Sequence, residues 1–211
     1  MSLNIKILFF IFFCGILTVW GQEKVGSTDD AFPDDPETVF FNLELFNSIG
    51  IGDHVLARDY NTGIGFGFDF NWFVLEEFTI GTHFSVVQNG VKNPENTGNI
   101  QNTTIYLFGL DLGYYYAFDQ QWNLHATAGI GSIRYTHRTP EDKFAESGTS
   151  YWVQVQVAHR FNKALAVYFK LQPRWDKLNI EVPEHLNNYF NNNIFLNPGL
   201  GLRINLQNPG G

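Results

Sequence analysis

The sequence predicts an all-β fold, an eight-stranded antiparallel up-and-down transmembrane β-barrel. Apolar and polar residues alternate in eight segments of about ten residues or more, which is the length that crosses a bilayer at a tilt. The composition suits such alternation, with 21 Phe, 9 Tyr, 5 Trp and 20 Gly. The connections between the segments are alternately long and short, as in barrels with short periplasmic turns and long extracellular loops.

The first element, residues 1–21, has the parts of a secretory signal peptide. Lys6 precedes an apolar run from Ile7 to Thr18, and Val19 and Gly21 fit the positions before a cleavage site. The run is shorter than the roughly 20 apolar residues of a spanning helix. A mature chain would therefore contain no cysteine, because Cys14 is the only one in the sequence. Disulfides, thiol catalysis and cysteine-based metal sites are excluded on this basis.

Residues 22–37 are acidic, contain two prolines and lack periodicity, so they predict a flexible periplasmic tail. Without Lys6 the chain has 12 basic and 21 acidic residues, a net charge near −9. Nucleic-acid binding is not expected, because phosphate contacts need a basic surface. No second apolar run of about 18 residues follows, which excludes a helical membrane protein.

Residues 38–207 carry the alternating pattern, and residues 208–211 are a C-terminal tail. In the second segment, Ile64, Phe66, Phe68, Phe70 and Trp72 alternate with glycine, Asp or Asn. The eight segments, in order, are Val39–Phe46, Thr62–Val74, Phe78–Val86, Tyr106–Ala117, Trp122–Gly131, Tyr151–Phe161, Leu165–Arg174 and Asn193–Leu206. Long polar loops are predicted at Gly50–Asn61, Gln88–Asn102, about Thr136–Thr149 and Trp175–Asn192.

Aromatic residues cluster beside the short connections, where a periplasmic aromatic girdle would lie. The predicted girdle consists of Trp72, Phe78, Tyr114, Tyr116, Trp122 and Phe161. Aromatic residues also favour strands in general, so each one alone is weak evidence. Their grouping at strand ends favours a girdle.

The apolar faces are expected to point outward, because eight rows of Leu, Phe and Val would overfill a small barrel. The inward set then contains charges of both signs: Glu44, Asp69, Asp111, Arg160, Lys170, Arg174 and Arg203. Buried charges need partners, so we expect a paired lumen charge network with an Arg or Lys beside Asp69. Inward glycines would make room for Phe46, Tyr115, Trp152, Tyr168 and Phe195.

The signal, the eight segments and the closing "GLGLRINL" resemble the small outer-membrane β-barrel families of the OmpA transmembrane domain, OmpX and OmpW type. Gly201, Ile204 and Leu206 match the C-terminal assembly signal of these families, although the usual terminal Phe is absent. The resemblance implies an integral protein of the bacterial outer membrane with a periplasmic N-terminus. It also implies contact with outer-membrane lipid and lipopolysaccharide, and it implies no cofactor.

Three functions remain open at this point. A structural, surface-interaction or envelope-complex accessory role would use the extracellular loops or the N-terminal tail to contact other envelope proteins. A narrow OmpW-like conduit for small or hydrophobic solutes would be lined at one end by Phe46, Leu107, Ile133 and Phe195. A lipid A-modifying hydrolase is the third possibility.

The hydrolase would rest on "RYTHRTPED", which offers His137, Thr139 and Glu141 in the shape of a nucleophile and base. The segment resembles the motif of lipid A deacylases, in which one residue separates a His from a Ser. Here Thr replaces the Ser, and Pro140 replaces the expected Asn. The segment is expected in a solvated loop, and no enzymatic activity is expected. The histidines show no metal-site spacing, so no metal is expected either.

Overall fold

The computed structural model describes residues 37–207, in which eight antiparallel strands close into a barrel in chain order, with β1 beside β8. The strands are β1 (Glu37–Gly50), β2 (Gly63–Phe73), β3 (Phe78–Gly90), β4 (Asn102–Ala117), β5 (Trp122–Arg138), β6 (Lys143–Arg160), β7 (Leu165–Leu178) and β8 (Asn192–Gln207). The predicted fold class is confirmed. The predicted signal peptide, residues 22–36 of the predicted tail and residues 208–211 lie outside the described residues, whereas Glu37 begins β1.

Three connections at one end of the barrel contain short helices. The first, residues 51–62, holds α1 (Val55–Asp59); the second, residues 91–101, holds a 3-10 helix (Pro94–Asn96). The third, residues 179–191, holds a 3-10 helix (Glu184–Leu186) followed by α2 (Asn187–Asn191). We call this the long-loop end. No helix in the part of the chain that the structure describes is long and apolar enough to cross a membrane.

The opposite end, which we call the short-turn end, carries the connections 74–77, 118–121 and 161–164. The fifth connection departs from the sequence prediction. A long loop was expected at Thr136–Thr149, but β5 and β6 stay paired up to Arg138 and Lys143, and only residues 139–142 turn. The expectation was wrong because the inward and outward alternation of side chains continues in this part of β5, where Tyr135 and His137 are directed inward. The outward residues there are no longer apolar, so they do not mark a strand in lipid.

The register places large inward side chains opposite glycines of neighbouring strands. Phe46 pairs with Gly65 on one side and with Gly199 on the other, and Trp152 pairs with Gly129. A β-carbon at Gly65 would overlap the Phe46 ring, and one at Gly129 would overlap the Trp152 indole. Glycine is therefore required at these positions by close approach, and the lumen is filled from the opposing strands.

Buried polar and charged side chains lie along the whole length of the lumen, and an apolar cluster lies among them toward the long-loop end. The outside of the barrel is apolar instead, because large apolar residues are exposed along every strand. This arrangement is opposite to that of a water-soluble protein, in which such a surface would be unusual.

Candidate functional site

The six residues predicted as an aromatic girdle lie outside the barrel at the short-turn end. Their side chains are between 38% (Tyr114) and 58% (Phe161) exposed. Phe78 and Tyr114 form an edge-to-face pair with ring centroids 5.4 Å apart, and they are directly opposite in the register of β3 and β4. The geometry suits a membrane interface, where amphipathic rings are favoured.

In the middle of the lumen, Lys170 forms a direct ion pair with Glu44, and both side chains are completely buried. The Tyr168 hydroxyl donates a second hydrogen bond to Glu44, at 3.2 Å. Lys170 Nζ also donates to Gln154 Oε1 at 3.3 Å. Two of the predicted lumen charges are thus brought together, with neutral partners around them, as burial of charge requires.

Asp69 has a different partner from the arginine or lysine that we expected. Its Oδ1 lies 2.5 Å from His83 Nδ1, and both side chains are buried. Asn42, Gln154 and Gln156 donate weaker hydrogen bonds to Asp69 Oδ2 at 3.3–3.4 Å. The expectation failed because only charge signs were considered, whereas the register places His83 directly opposite Asp69.

Arg203 lies among polar and aromatic groups near the short-turn end. It donates to Asn42 at 3.1 Å, to Asn123 at 2.6 Å and to Gln156 at 2.7 Å. Its guanidinium lies 4.4 Å from the centre of the Phe40 ring, a cation–π contact. Arg160, nearby on β6, donates to the Tyr115 hydroxyl at 2.6 Å.

Arg174 forms an ion pair with Asp176, a residue that the sequence analysis missed. Arg174 Nη2 lies 3.0 Å from Asp176 Oδ2, and both side chains are completely buried. Tyr135 and Ser150 donate hydrogen bonds to Asp176 at 2.7 and 2.6 Å. The signal was available, because Asp176 continues the inward alternation of Lys170, Gln172 and Arg174 along β7.

Asp111 is also directed inward and is buried. Its Oδ1 has no hydrogen-bond partner. It lies against Gly81, where a β-carbon would overlap both Asp111 and Asn71. The structure therefore brings Glu44 together with Lys170, Arg174 with Asp176 and Asp69 with His83, while Arg203 and Arg160 donate hydrogen bonds to polar groups of the lumen.

The apolar cluster at the long-loop end contains all four residues considered for a conduit. Phe46, Leu107, Ile133 and Phe195 are buried there. Leu56 of α1 and Tyr60 just after it pack into the same cluster. His54 caps α1 by accepting from the Ala57 amide at 3.3 Å, and its burial lowers the pKa of His54. The first connection thus packs against the apolar cluster at the barrel mouth.

Asp59 links the three helical connections to one another. Its Oδ1 accepts hydrogen bonds from Asn93 at 3.0 Å and Asn96 at 2.9 Å, and its Oδ2 accepts from the Tyr189 hydroxyl at 2.5 Å. Burial raises the pKa of Asp59, but the hydrogen bonds from Asn96, Tyr189 and Asn93 outweigh it and hold the pKa below its usual range. Burial and the bond to Asp59 raise the pKa of Tyr189 to about 12.

Between these connections and the extended ends of β5 and β6 lies a cavity of about 340 Å³. Its walls are mostly apolar and include Leu56, Ile100, Phe144, Leu178, Ile180 and Phe190. Its polar residues include Tyr60, His137 and Glu146. Cavities of this size with apolar walls and a few polar groups are typical of small-molecule sites.

A chain of polar contacts runs along one wall of the cavity. Thr103 Oγ1 lies 3.1 Å from the Tyr60 hydroxyl and 2.7 Å from His137 Nδ1. His137 Nε2 lies 3.2 Å from Glu146 Oε2, and the Phe144 ring stacks on the imidazole with centroids 4.8 Å apart. Sequence reasoning missed Thr103 and Glu146 because their contacts depend on the register of three strands.

The arrangement does not match the nucleophile and base considered from the sequence. His137 is a buried residue of β5 and not part of a solvated loop, so that expectation was wrong. Thr139 and Glu141 lie in the turn after β5, where Thr139 bonds to the backbone of Asp142 instead of to His137. Thr103 contacts His137 but is completely buried, which denies its hydroxyl access to a substrate. Among residues 37–207, no three His, Cys, Asp or Glu side chains form a group that could hold a metal ion.

Comparison with solved structures finds small outer-membrane barrels. The fold is similar to that of neisserial surface protein A (TM-score 0.61, 9% identity, covering 80% of this chain and 97% of that chain). It is also similar to Ail, the attachment invasion locus protein of Yersinia pestis (TM-score 0.52, 11% identity, covering 81% of this chain and 99% of that chain). No protein-family model matches the chain, and no curated sequence matches it significantly. At these identities the similarity extends to the fold alone.

Proposed function

We propose that this protein is an integral component of the bacterial outer membrane, without enzymatic activity, that presents its long-loop end to the outside as a binding surface. The observation that carries the proposal is the reversal of polarity across the barrel wall. Large apolar side chains such as Leu110 and Leu112 are exposed on the outside, while Glu44 and Lys170 are paired inside. A bilayer is the solvent in which such a surface is stable.

The connections support this orientation. Outer-membrane barrels have short turns in the periplasm and longer loops outside, and the connections with helices all lie at one end. An N-terminal segment before Glu37 would then start in the periplasm, since β1 begins at the short-turn end. Lipid and lipopolysaccharide are the partners of the barrel wall. Other envelope proteins are the partners proposed for the loops or the N-terminal tail.

The long-loop end has the order that a binding surface needs. Asp59 ties residues of three connections together, and His54 Nε2 lies 3.0 Å from the Ile194 carbonyl oxygen. Loops held in one conformation lose less entropy when they bind a partner than free loops do. These contacts support a surface role better than a passage for solutes, because Leu56 and Tyr60 pack against the apolar residues at the mouth where a conduit would need to open.

A cysteine-labelling experiment tests the location and the orientation. Cys14 is the only cysteine and lies in the predicted signal peptide, so a single introduced cysteine reports its own position. Glu95→Cys places a thiol at the long-loop end, and Gln120→Cys places one in a short turn; both native residues are exposed. We expect a membrane-impermeant maleimide to label residue 95 on intact cells and residue 120 only after the outer membrane is permeabilised. The opposite pattern, or labelling of both in a soluble fraction, would overturn the proposal.

A further inference from the structure

We propose that the cavity at the long-loop end binds a small amine with an apolar body, and that Glu146 accepts hydrogen bonds from the ammonium group. This inference deepens the surface-binding role proposed above and rests on it for the exposure of the cavity to the outside. The cavity measures about 340 Å³, enough for a small aromatic or branched aliphatic molecule.

The walls determine the apolar part of the ligand. Leu56 and Ile100 come from two different connections, Ile180 and Phe190 come from a third, and Phe144 and Leu178 come from β6 and β7. Burying an apolar group against these side chains removes it from water, which favours binding in proportion to the apolar area buried. A ligand without an apolar body would forgo this gain.

The charge of the polar part follows from the side chains that line the cavity. Glu146 is the only carboxylate among them, and within the described residues no lysine or arginine lines it. A cationic group would therefore meet one fixed negative charge and no fixed positive charge. An anionic ligand would meet the carboxylate in partly dehydrated surroundings, where like charges repel strongly.

Glu146 is held in position to receive such a group. Its Oε2 contacts His137 Nε2, and His137 is itself fixed by Thr103 and by the stacked Phe144 ring. A carboxylate has further lone pairs to accept hydrogen bonds from a ligand. The Glu146 side chain is 24% exposed, so a ligand can reach it, whereas Thr103 is buried.

Aromatic rings in the cavity wall add a second attraction for a cation. Tyr60, Tyr135, Phe144 and Phe190 all line the cavity. The faces of aromatic rings attract ammonium groups, an effect that strengthens when water is excluded. A neutral alcohol of the same shape would keep the hydrogen bond to Glu146 but lose this contribution and the charge attraction.

The test uses the mature protein in detergent micelles and three water-soluble probes of similar shape: 2-phenylethylamine, 2-phenylethanol and 3-phenylpropionate. Methyl NMR signals of Leu56, Leu178 and Ile180 report occupancy of the cavity. We expect saturable shifts at these methyls, with the amine binding tightest and the carboxylate at least about tenfold more weakly. Shifts that rise linearly without saturation indicate partition into the micelle and would overturn the proposal.

Two variants and a matched control assign the site. Glu146→Gln keeps an acceptor for His137 but removes the charge, and we expect it to weaken amine binding about tenfold with little effect on the alcohol. Ile180→Trp fills the cavity and should abolish binding of all three probes. Glu141→Gln makes the same change in the exposed turn and should leave every affinity unchanged.

Equal amine affinity for Glu146→Gln and the native protein, or equal affinity for amine and carboxylate, would overturn the assignment of the ligand class. These outcomes test the ligand class and do not test the proposed orientation of the long-loop end toward the outside. The titration is performed in micelles and does not depend on which side of a membrane the cavity faces. Absence of labelling at residue 95 on intact cells would overturn the surface role and leave the measured binding intact.

Discussion

Asp69 Oδ1 and His83 Nδ1 lie 2.5 Å apart between β2 and β3, with both side chains buried in the lumen. His83 also packs against the Trp152 indole, with ring centroids 5.2 Å apart. An acidic side chain at this depth needs a hydrogen-bond donor, and the imidazole supplies the shortest of its contacts. The Asp69–His83 pair is therefore a structural element of the lumen.

Replacement of Asp69 by Leu should destabilise the barrel by about 3 kcal/mol or more, because it leaves the buried His83 without its partner. Asp69→Asn should cost less, since the amide oxygen still accepts a hydrogen bond. Urea unfolding in detergent or lipid measures both free energies. Asp53→Leu is the matched control: Asp53 pairs with Arg58 at 3.1 Å in an exposed position, and its loss should cost less than about 1 kcal/mol. Equal costs at the two sites would contradict a sealed lumen.

Gly129 should not tolerate alanine, because the added β-carbon would overlap the Trp152 indole. We expect Gly129→Ala to destabilise the barrel by about 1–3 kcal/mol, the usual cost of overpacking. Trp152→Phe removes the overlapping atoms, so Gly129→Ala should cost much less in that background. A double-mutant cycle of unfolding free energies measures the difference.

Gly131 supplies the control for this cycle. A β-carbon there would overlap the backbone of Phe108 and not an indole atom. Gly131→Ala should therefore be equally destabilising with and without Trp152→Phe. If the Trp152→Phe background relieved both glycine variants alike, the close contact between Gly129 and Trp152 would not be the cause.

The sequence predicted the barrel and the direction of most side chains because strands that separate lipid from a polar lumen must alternate. Glu44, Asp69, Lys170 and Arg203 are all directed inward for this reason. Alternation does not specify which inward residues touch. That depends on strand register, which is why Asp69 was expected beside a basic residue and not beside His83.

The extended ends of β5 and β6 were missed for a related reason. Outward residues there include Arg134 and Arg138, so the apolar face that marks a strand in lipid is absent. The segment then has polar residues on both faces, as a loop does. The contacts of His137 with Thr103 and Glu146, and hence one wall of the cavity, could not be predicted without this extension.

The contacts of Asp59 should make the order of the long-loop end depend on pH. The pKa of Asp59 is lowered when its hydrogen bonds to the other connections are formed. The stabilisation of these connections by Asp59 is therefore fully present above the ordinary pKa of 3.8 and is lost as the pH falls through the lowered pKa. Amide hydrogen exchange of residues 91–101 and 187–191, corrected for the intrinsic rate, should show this loss at acid pH. The amides of β2 serve as the internal reference.

Asp59→Asn should remove most of this protection at neutral pH. We expect the free energy of local opening to fall by about 2 kcal/mol, because hydrogen bonds to a charged acceptor are replaced by hydrogen bonds to a neutral one. Asp53→Asn changes an exposed acid in the same connection and should leave protection unchanged. Protection of residues 91–101 that is the same in native protein and Asp59→Asn would show that Asp59 does not hold these connections together.

The outer surface of the barrel allows the membrane proposal to be tested by one pair of substitutions. Leu110 lies midway along β4 and is 57% exposed, while Leu75 lies in a short turn and is 67% exposed. In lipid vesicles, Leu110→Arg should destabilise the barrel by about 2–4 kcal/mol because it places a charge near the bilayer midplane, whereas Leu75→Arg should cost about 0–1 kcal/mol. Reversible urea unfolding in vesicles measures both. Since the two leucines are similarly exposed, equal and small costs would mean that water, and not lipid, surrounds this surface.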